Sequence, residues 1–311
     1  NGVKENNSII QKDINRVLEL TQGIALPPDR DILHTIPQEF IVDTLEKIDN
    51  PIGLSGRRLE GHVHLVTAAT TAMKNLVESA EEIGININGL VFKPLAAAAS
   101  TLTKDEIKLG VSLIDIGSTT TNVAIFNDGA VRHSAVIPIG SASITNDIAV
   151  MLRTSIKNAE KIKIKYASAM ASLSSEKLNF EVDSDGESQT ISENELSKYV
   201  EARMEEIFQL AQNEINRAGI NNTLTYGVVL TGGGSQLRNI IPLAKELLNM
   251  PIRLGKPIIN IQGNKDFADN PIHSTLLGLL LWPFHSNEQK ISQLNPTSWI
   301  EYIKQALQNF F

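Results

Sequence analysis

The sequence predicts an α/β fold, and two segments carry most of that prediction. Val111–Thr121 and Gly227–Ser235 each deliver a run of apolar β-formers into a turn of small residues. The first turn sets one carboxylate, Asp115, at the end of its strand. Small-residue turns let backbone N–H groups converge on an anion, and a nearby carboxylate can hold the magnesium that accompanies it. Singly, each segment is weak, because most glycine-rich turns are only turns. Paired in one chain of strand-like and helical segments, they suggest two walls of one site.

Composition sets the outer limits. A chain of 311 residues that is 42% hydrophobic can bury more than one core. Cysteine is absent, so neither disulfides nor thiolate metal sites hold the fold, and a reducing compartment fits. The net charge of −7, with no basic block, argues against a nucleic-acid partner. The longest apolar run, Leu276–Phe284, is shorter than the roughly 20 residues a bilayer span needs. The polar opening reads as no signal peptide and has no initiator Met, so the natural start is expected upstream of residue 1.

Taken in order, Asp13–Leu20 has helical spacing in Ile14, Val17 and Leu18, and Pro27-Pro28-Asp29 breaks it. Ile32–Val42 reads as a strand region interrupted by Pro37. After the loop 50–56, Gly61–Thr67 alternates as a strand. A helix follows from Thr70, with Met73, Leu76, Val77, Ala80 and Ile83 on one face and Gly84 as its stop. Leu90-Val-Phe92 is expected as a short strand, and Pro94 opens an Ala-rich helix to about Leu102.

From Gly110 to Ile139 the pattern is a three-stranded meander, turning at Gly117-Ser-Thr-Thr120 and at Asn127-Asp-Gly129. Helices are expected near Ile144–Thr154 and Ala159–Ala167, then a polar loop or edge hairpin over Ser174–Gln189. Ser192 with Glu195 has the capping-box spacing for a long helix to about Ala218. Its expected stripe is Leu196, Val200, Ile207, Leu210, Ala211 and Ile215. The Gly227–Leu230 strand, a helix restarted by Pro242, a strand at Ile252–Leu254 and a helix at His273–Leu281 follow.

Residues 286–296 form a polar linker, after which Thr297 or Ser298 can cap a final helix. Trp299, Ile300, Ile303, Ala306, Leu307, Phe310 and Phe311 fall at i, i+3, i+4, i+7 spacing, with polar residues opposite. Two readings compete: a terminal helix docked on its own domain, or a helix lying in a membrane interface.

The sequence resembles the bacterial division protein family FtsA, membrane-tethered members of the actin-like ATPases. The resemblance runs through Leu33–Phe40, Asn50–Gly56, Val63–Thr67, Gly110–Gly117, Val136–Pro138, Val229–Leu237, Ile252–Gly255 and Ser274–Gly278, in order. It implies an actin-like fold carrying the family's own 1C (SHS2-like) subdomain over residues 1–84. Residues 85–109 would be the end of subdomain IA, 110–150 and 224–284 subdomain IIA with the nucleotide loops, and 151–223 subdomain IIB. Residues 285–311 fall where the family places its linker and membrane-targeting helix. Only one Asp-Ile-Gly occurs, at 115–117, so the first phosphate hairpin and most of the first subdomain are expected to be missing from this chain.

Roles follow residue by residue from the resemblance. Asp115 matches the aspartate that faces magnesium through its waters, and Gly117, Ser118, Thr119 and Thr120 the loop around the β- and γ-phosphates of ATP. Gly232, Gly233 and Gly234 match the adenosine-side loop, with Gln236 opening the next helix. Glu201 and Arg203 match positions near ribose and adenine, although a solvated helix face explains them as well. The family usually has Asp-Ile-Gly-Gly-Gly-Thr and a later Asp. Here Ser118 and Thr119 replace two glycines, and Asn122 stands where that Asp is common. Related filament ATPases often place a water-orienting acid at the position of Lys93, and an ammonium group cannot take a proton. Slow or negligible ATP turnover is expected.

The implied partners are FtsZ, further copies of the chain, FtsN and other divisome proteins through 1C, and inner-membrane lipid at the division septum. The lipid contacts would be Trp299, Ile300, Ile303, Leu307, Phe310 and Phe311. Two other readings stay open: a pilus or secretion adaptor resembling PilM, and a phosphotransferase of the sugar-kinase superfamily. His62 and His64 share one strand face, but with no third ligand at matching spacing they read as structural. Ser55, Ser100 and Ser118 form no recognisable triad, and Arg57-Arg58 reads as a solvated turn.

Overall fold

The computed structural model describes residues 8–21, 23–184, 187–220, 223–258 and 269–285. In α1 (Gln11–Thr21), Ile14 and Val17 fall one turn apart and are buried. They pack on Phe40, Val42 and Leu59 of an antiparallel sheet, β2–β1–β3, formed by β1 (Arg30–Val42), β2 (Leu45–Ile48) and β3 (Leu59–Ala69). Pro37, expected to interrupt the first strand, lies inside it. Pairing with β3 shifts register between Pro37 and Glu39, and β2 reaches only Phe40 and Val42. A residue with no N–H to donate is tolerated at such an irregularity, where no ladder bond on the other side requires one.

β3 runs directly into α2 (Thr70–Glu81). The apolar face expected to pack there stays open: none of the helix is buried, and Leu76 is 63% exposed. Beyond it, Leu90–Phe92 does not form the expected strand. No described strand pairs with it, and Phe92 donates its N–H to the side chain of His34 in β1, at Nε2, 2.9 Å away.

Pro94 starts α3 (Lys93–Thr101), and Thr103 with Glu106 completes a capping box on α4 (Lys104–Leu109). The meander is β4 (Val111–Ile116), β5 (Thr121–Asn127) and β6 (Ala130–Ile137). α5 (Ser141–Met151), α6 (Ile156–Tyr166) and a hairpin of β7 (Asn179–Ser184) and β8 (Glu187–Ser192) lead to α7 (Glu193–Arg217). Ser192 Oγ accepts from Glu195 N at 3.1 Å, as the capping pattern predicts. β9 (Val228–Thr231), α8 (Ile240–Leu248), β10 (Ile252–Leu254) and α9 (Ser274–His285) complete the described chain.

These strands form one sheet, β10–β9–β4–β5–β6, in which β9 runs parallel to β4 and the meander is antiparallel. All of β4 is buried because both of its faces are covered. Val111, Leu113, Ala124 and Phe126 meet Leu95 and Ala98 from α3 and Leu102 just after it. Ile114, Ile116, Val123 and Ile125 meet Val200, Met204, Ile207, Phe208 and Ala211 of α7. Fully burying each such side chain stabilises by roughly 1.5–3 kcal/mol. Met204 and Phe208 belong to this stripe although the expected set omits them, while Leu210 lies at its margin. α9 crosses α3 so closely that a Cβ on Gly278 would collide with Ala96 O.

Candidate functional site

Asp115 stands on the α3 side of β4, in line with Val111 and Leu113, and is 1% exposed. Antiparallel pairing puts Asn122 of β5 directly opposite it, and parallel pairing puts Thr231 of β9 alongside. Thr231 is satisfied: its Oγ1 donates to Gly255 O at 2.9 Å and lies 2.7 Å from Ser274 Oγ. Asn122 is 3% exposed, and its Nδ2 has no partner among the described residues.

Lys93 stands beside the carboxylate expected to face magnesium. Lys93 Nζ lies 3.0 Å from Asp115 Oδ2. The contact is an ion pair by distance, but Oδ2 accepts no aligned hydrogen bond among the described residues. Lys93 begins α3, so the start of that helix sets the ammonium beside Asp115.

The loop after β4 closes through Gly117 N to Thr120 O at 2.9 Å. Its tip, Ser118 and Thr119, is exposed. Gly117 O and Ser118 O accept from Ser141 N and Ala142 N at 2.9 and 2.8 Å, so α5 begins against the loop. Only glycine fits at position 140, where a Cβ would collide with Ser118 O.

Gly232 brings the second loop to the first. Its φ is +83°, and a Cβ there would collide with Asp115 Oδ1 and lie 2.6 Å from Ile116 O. Gly233–Gln236 then forms a 3-10 turn in which Gly233 and Gln236 are exposed and Gly234 is buried against Ile116. The second glycine turn therefore packs against the end of β4, immediately before the first turn begins.

Glu201 and Arg203 leave opposite sides of α7, as residues two apart on a helix must. Glu201 Oε2 accepts from Ala171 N at 3.2 Å and caps the short turn Ala171–Leu173. Arg203 binds Asp147 of α5 through Nε and Nη2 at 2.7 and 3.0 Å, and also pairs with Glu206. The bonds to Asp147 raise its basicity further. Both residues expected beside ribose and adenine thus have protein partners.

The remaining candidates are structural. His62 Nδ1 pairs with Glu39 at 3.0 Å, and His64 Nε2 with Ser134 Oγ at 2.8 Å. No group of three His, Cys, Asp or Glu able to hold a metal occurs among the described residues. Ser100 Oγ donates to Ser274 O at 2.7 Å in the core. Asn122 was legible as the partner of Asp115 from turn length alone, since the two flank the loop symmetrically. The membrane candidates Trp299, Ile300, Ile303, Leu307, Phe310 and Phe311 lie outside the described residues.

Comparison with known proteins gives this geometry a context. Residues 112–278 match the family model "Cell division protein FtsA", and residues 2–67 match "SHS2 domain inserted in FTSA". The Cell division protein FtsA of Pseudomonas aeruginosa is 42% identical over 282 residues, covering 90% of this chain and 67% of that protein. Among solved structures, MreB5 of Spiroplasma citri bound to ADP aligns with a TM-score of 0.59 at 18% identity, covering 73% of this chain and 69% of the other. The PilM-PilN type IV pilus biogenesis complex aligns at 0.62 and 16% identity, over 88% and 74%. At such identities the likeness is one of fold, and the fold is actin-like with an inserted SHS2 unit.

Proposed function

Because this chain belongs to the FtsA family of cell-division proteins, we propose that it is an actin-like adaptor that uses a nucleotide for assembly rather than for turnover. It ties FtsZ polymers to the inner face of the cytoplasmic membrane at the septum. The observation that carries this reading is the ion pair of Lys93 with Asp115, 3.0 Å apart. A water-orienting acid at that position could promote hydrolysis; an ammonium group has no lone pair with which to take the proton.

ATP is the nucleotide class this reading takes, in keeping with the ADP bound by the actin-like MreB5. Phosphates fit the described loops: Gly117, Ser118, Thr119 and Thr120 offer one turn, and Gly232, Gly233, Gly234 and Gln236 the other. Magnesium does not fit: Asp115 is already paired with a cation, and its cross-strand neighbour Asn122 is neutral. Glu201 and Arg203, each held by its own protein partner, would border the adenosine side in this reading.

Residues 1–84 would serve neighbouring copies, FtsN and other divisome proteins, and the last residues the lipid. The apolar spacing of Trp299–Phe311 supports a helix in the bilayer interface. No described helix is long and apolar enough to cross a membrane. Burying five or six large side chains supplies several kcal/mol, enough for reversible attachment, and assembly makes many such contacts act together. A pilus adaptor has less support, since PilM is only 16% identical.

The test is co-flotation of the intact chain and FtsZ with vesicles of bacterial lipid. FtsZ should float only when the chain is present, and Trp299→Glu with Phe310→Glu should abolish flotation. Equal flotation by the double variant would remove the tether reading.

A further inference from the structure

We infer that Lys93 is the resident counter-ion of the phosphate site and takes the place of a divalent cation, so that the site accepts nucleotide polyphosphate without metal. This rests on the nucleotide reading above. A carboxylate 1% exposed needs a positive partner, and Lys93 Nζ, 3.0 Å away, is that partner.

The same ammonium lies against the loop expected to receive phosphate. A Cβ on Gly117 would stand 3.0 Å from Lys93 Nζ. The lysine side chain is 39% exposed, so its other N–H bonds reach the open side of that loop. Asn122 Nδ2, buried and without a partner among the described residues, adds a second donor across the strand pair. Ammonium and amide N–H groups complement phosphate oxygens and repel or ignore a metal.

Magnesium demands near-octahedral oxygen ligands and keeps several waters. At Asp115 it would have to displace an ammonium held by the start of a buried helix, and Asn122 opposite adds no negative charge to favour the exchange. One positive charge delivered by the protein replaces the two delivered by the ion, and the ligand's remaining charge is met by backbone N–H groups of the two loops.

The intact chain can be titrated with a fluorescent ATP analogue in excess EDTA and in excess magnesium chloride. Mn2+ alone can be added while the amide signals of Gly117 and Thr121 are followed. Wild type should bind the analogue at least as tightly in EDTA as in magnesium, and Mn2+ should leave both signals sharp. Lys93→Gln should lose about tenfold in EDTA, recover in magnesium, and show broadening by Mn2+. Lys93→Gln with Asp115→Asn, which leaves no lone buried charge, should not broaden and serves as the folding control. A wild type that needs magnesium, or one that Mn2+ broadens, overturns the inference. If the chain binds the analogue in neither buffer, the nucleotide reading fails, and Mn2+ still decides whether Lys93 excludes metal: broadening confined to Lys93→Gln upholds exclusion, and silence in that variant refutes it.

Discussion

Gly232 touches Asp115: a Cβ at position 232 would collide with the Asp115 carboxylate and with Ile116 O. Two strands 116 positions apart in sequence thus end at a contact with no room for a side chain. Gly232→Ala would also force alanine into a φ of +83°. Strain and overpacking together should cost about 2–4 kcal/mol, read as a lower urea midpoint at unchanged slope. A variant as stable as wild type would mean that the loops separate freely.

Arg253 and Glu106 form a two-point ion pair, with Nε–Oε1 at 2.6 Å and Nη2–Oε2 at 2.7 Å. Glu106 is 4% exposed and also caps α4 through Thr103 N. Arg253→Met leaves that carboxylate without its cation and should destabilise by about 3–5 kcal/mol. Arg253→Met with Glu106→Gln should recover part of the loss.

The same pair sets an acid dependence. Burial alone would raise the Glu106 pKa, but hydrogen bonds from Arg253 and Thr103 outweigh it and hold the group below the ordinary glutamate value. The unfolded chain therefore takes up the proton first. Stability from this site is complete above the ordinary value and falls as pH drops toward the folded one. Glu106→Gln should flatten the acid limb of a stability–pH curve; an unchanged limb would assign that slope to other carboxylates.

Much of the central sheet was legible, and the reasons are local. Asn127-Asp-Gly129 turns as expected because Asp128 and Gly129 take positive φ, at 52° and 80°. The first two strands of the meander are apolar at most positions, with Val111, Leu113 and Ile114 on β4 and Val123, Ala124 and Ile125 on β5 fully buried. The strand expected at Leu90–Phe92 has the right composition but no described neighbour with which to pair, and strand identity depends on a partner that composition does not encode. The pairing of Lys93 with Asp115 was hidden for a similar reason: it exists because the start of α3 stacks beside the end of β4, a tertiary fact with no periodic signature. Met204 and Phe208 continue the four-residue series from Leu196 and Val200 on the same buried face, so the helical spacing does encode them.

His34 accepts a hydrogen bond from Phe92 N at Nε2, and burial holds its pKa below the usual histidine value. An imidazolium has no lone pair for that N–H. The folded state favours the neutral ring, so stability from this contact is full above the ordinary value and lost as pH falls through the lowered one. Protection of the Phe92 amide, measured against its intrinsic exchange rate at each pH, should fall on acidification from neutral pH. His34→Phe should exchange quickly at every pH.

Arg203 separates a structural from a ligand-binding role. If its function is to join α7 to α5, Asp147→Asn should reproduce Arg203→Gln, each losing about 1 kcal/mol. If it instead contacts the nucleotide, only Arg203→Gln should weaken binding of a fluorescent ATP analogue. Matched losses in stability with unchanged binding would assign the residue to the fold.

Turnover is the sharpest consequence of a cation at position 93. Wild-type chain with ATP and magnesium should release phosphate no faster than buffer, because the group nearest Asp115 can neither take a proton nor orient a water through a lone pair. A glutamine carbonyl can orient water in phosphate-cleaving sites. Lys93→Gln should therefore raise phosphate release, by about tenfold over wild type, and only with magnesium present, since the variant has lost its internal cation. Gain of turnover without magnesium would mean that Asp115 itself handles the water. Brisk hydrolysis by the wild type would show that catalysis here needs no group at position 93.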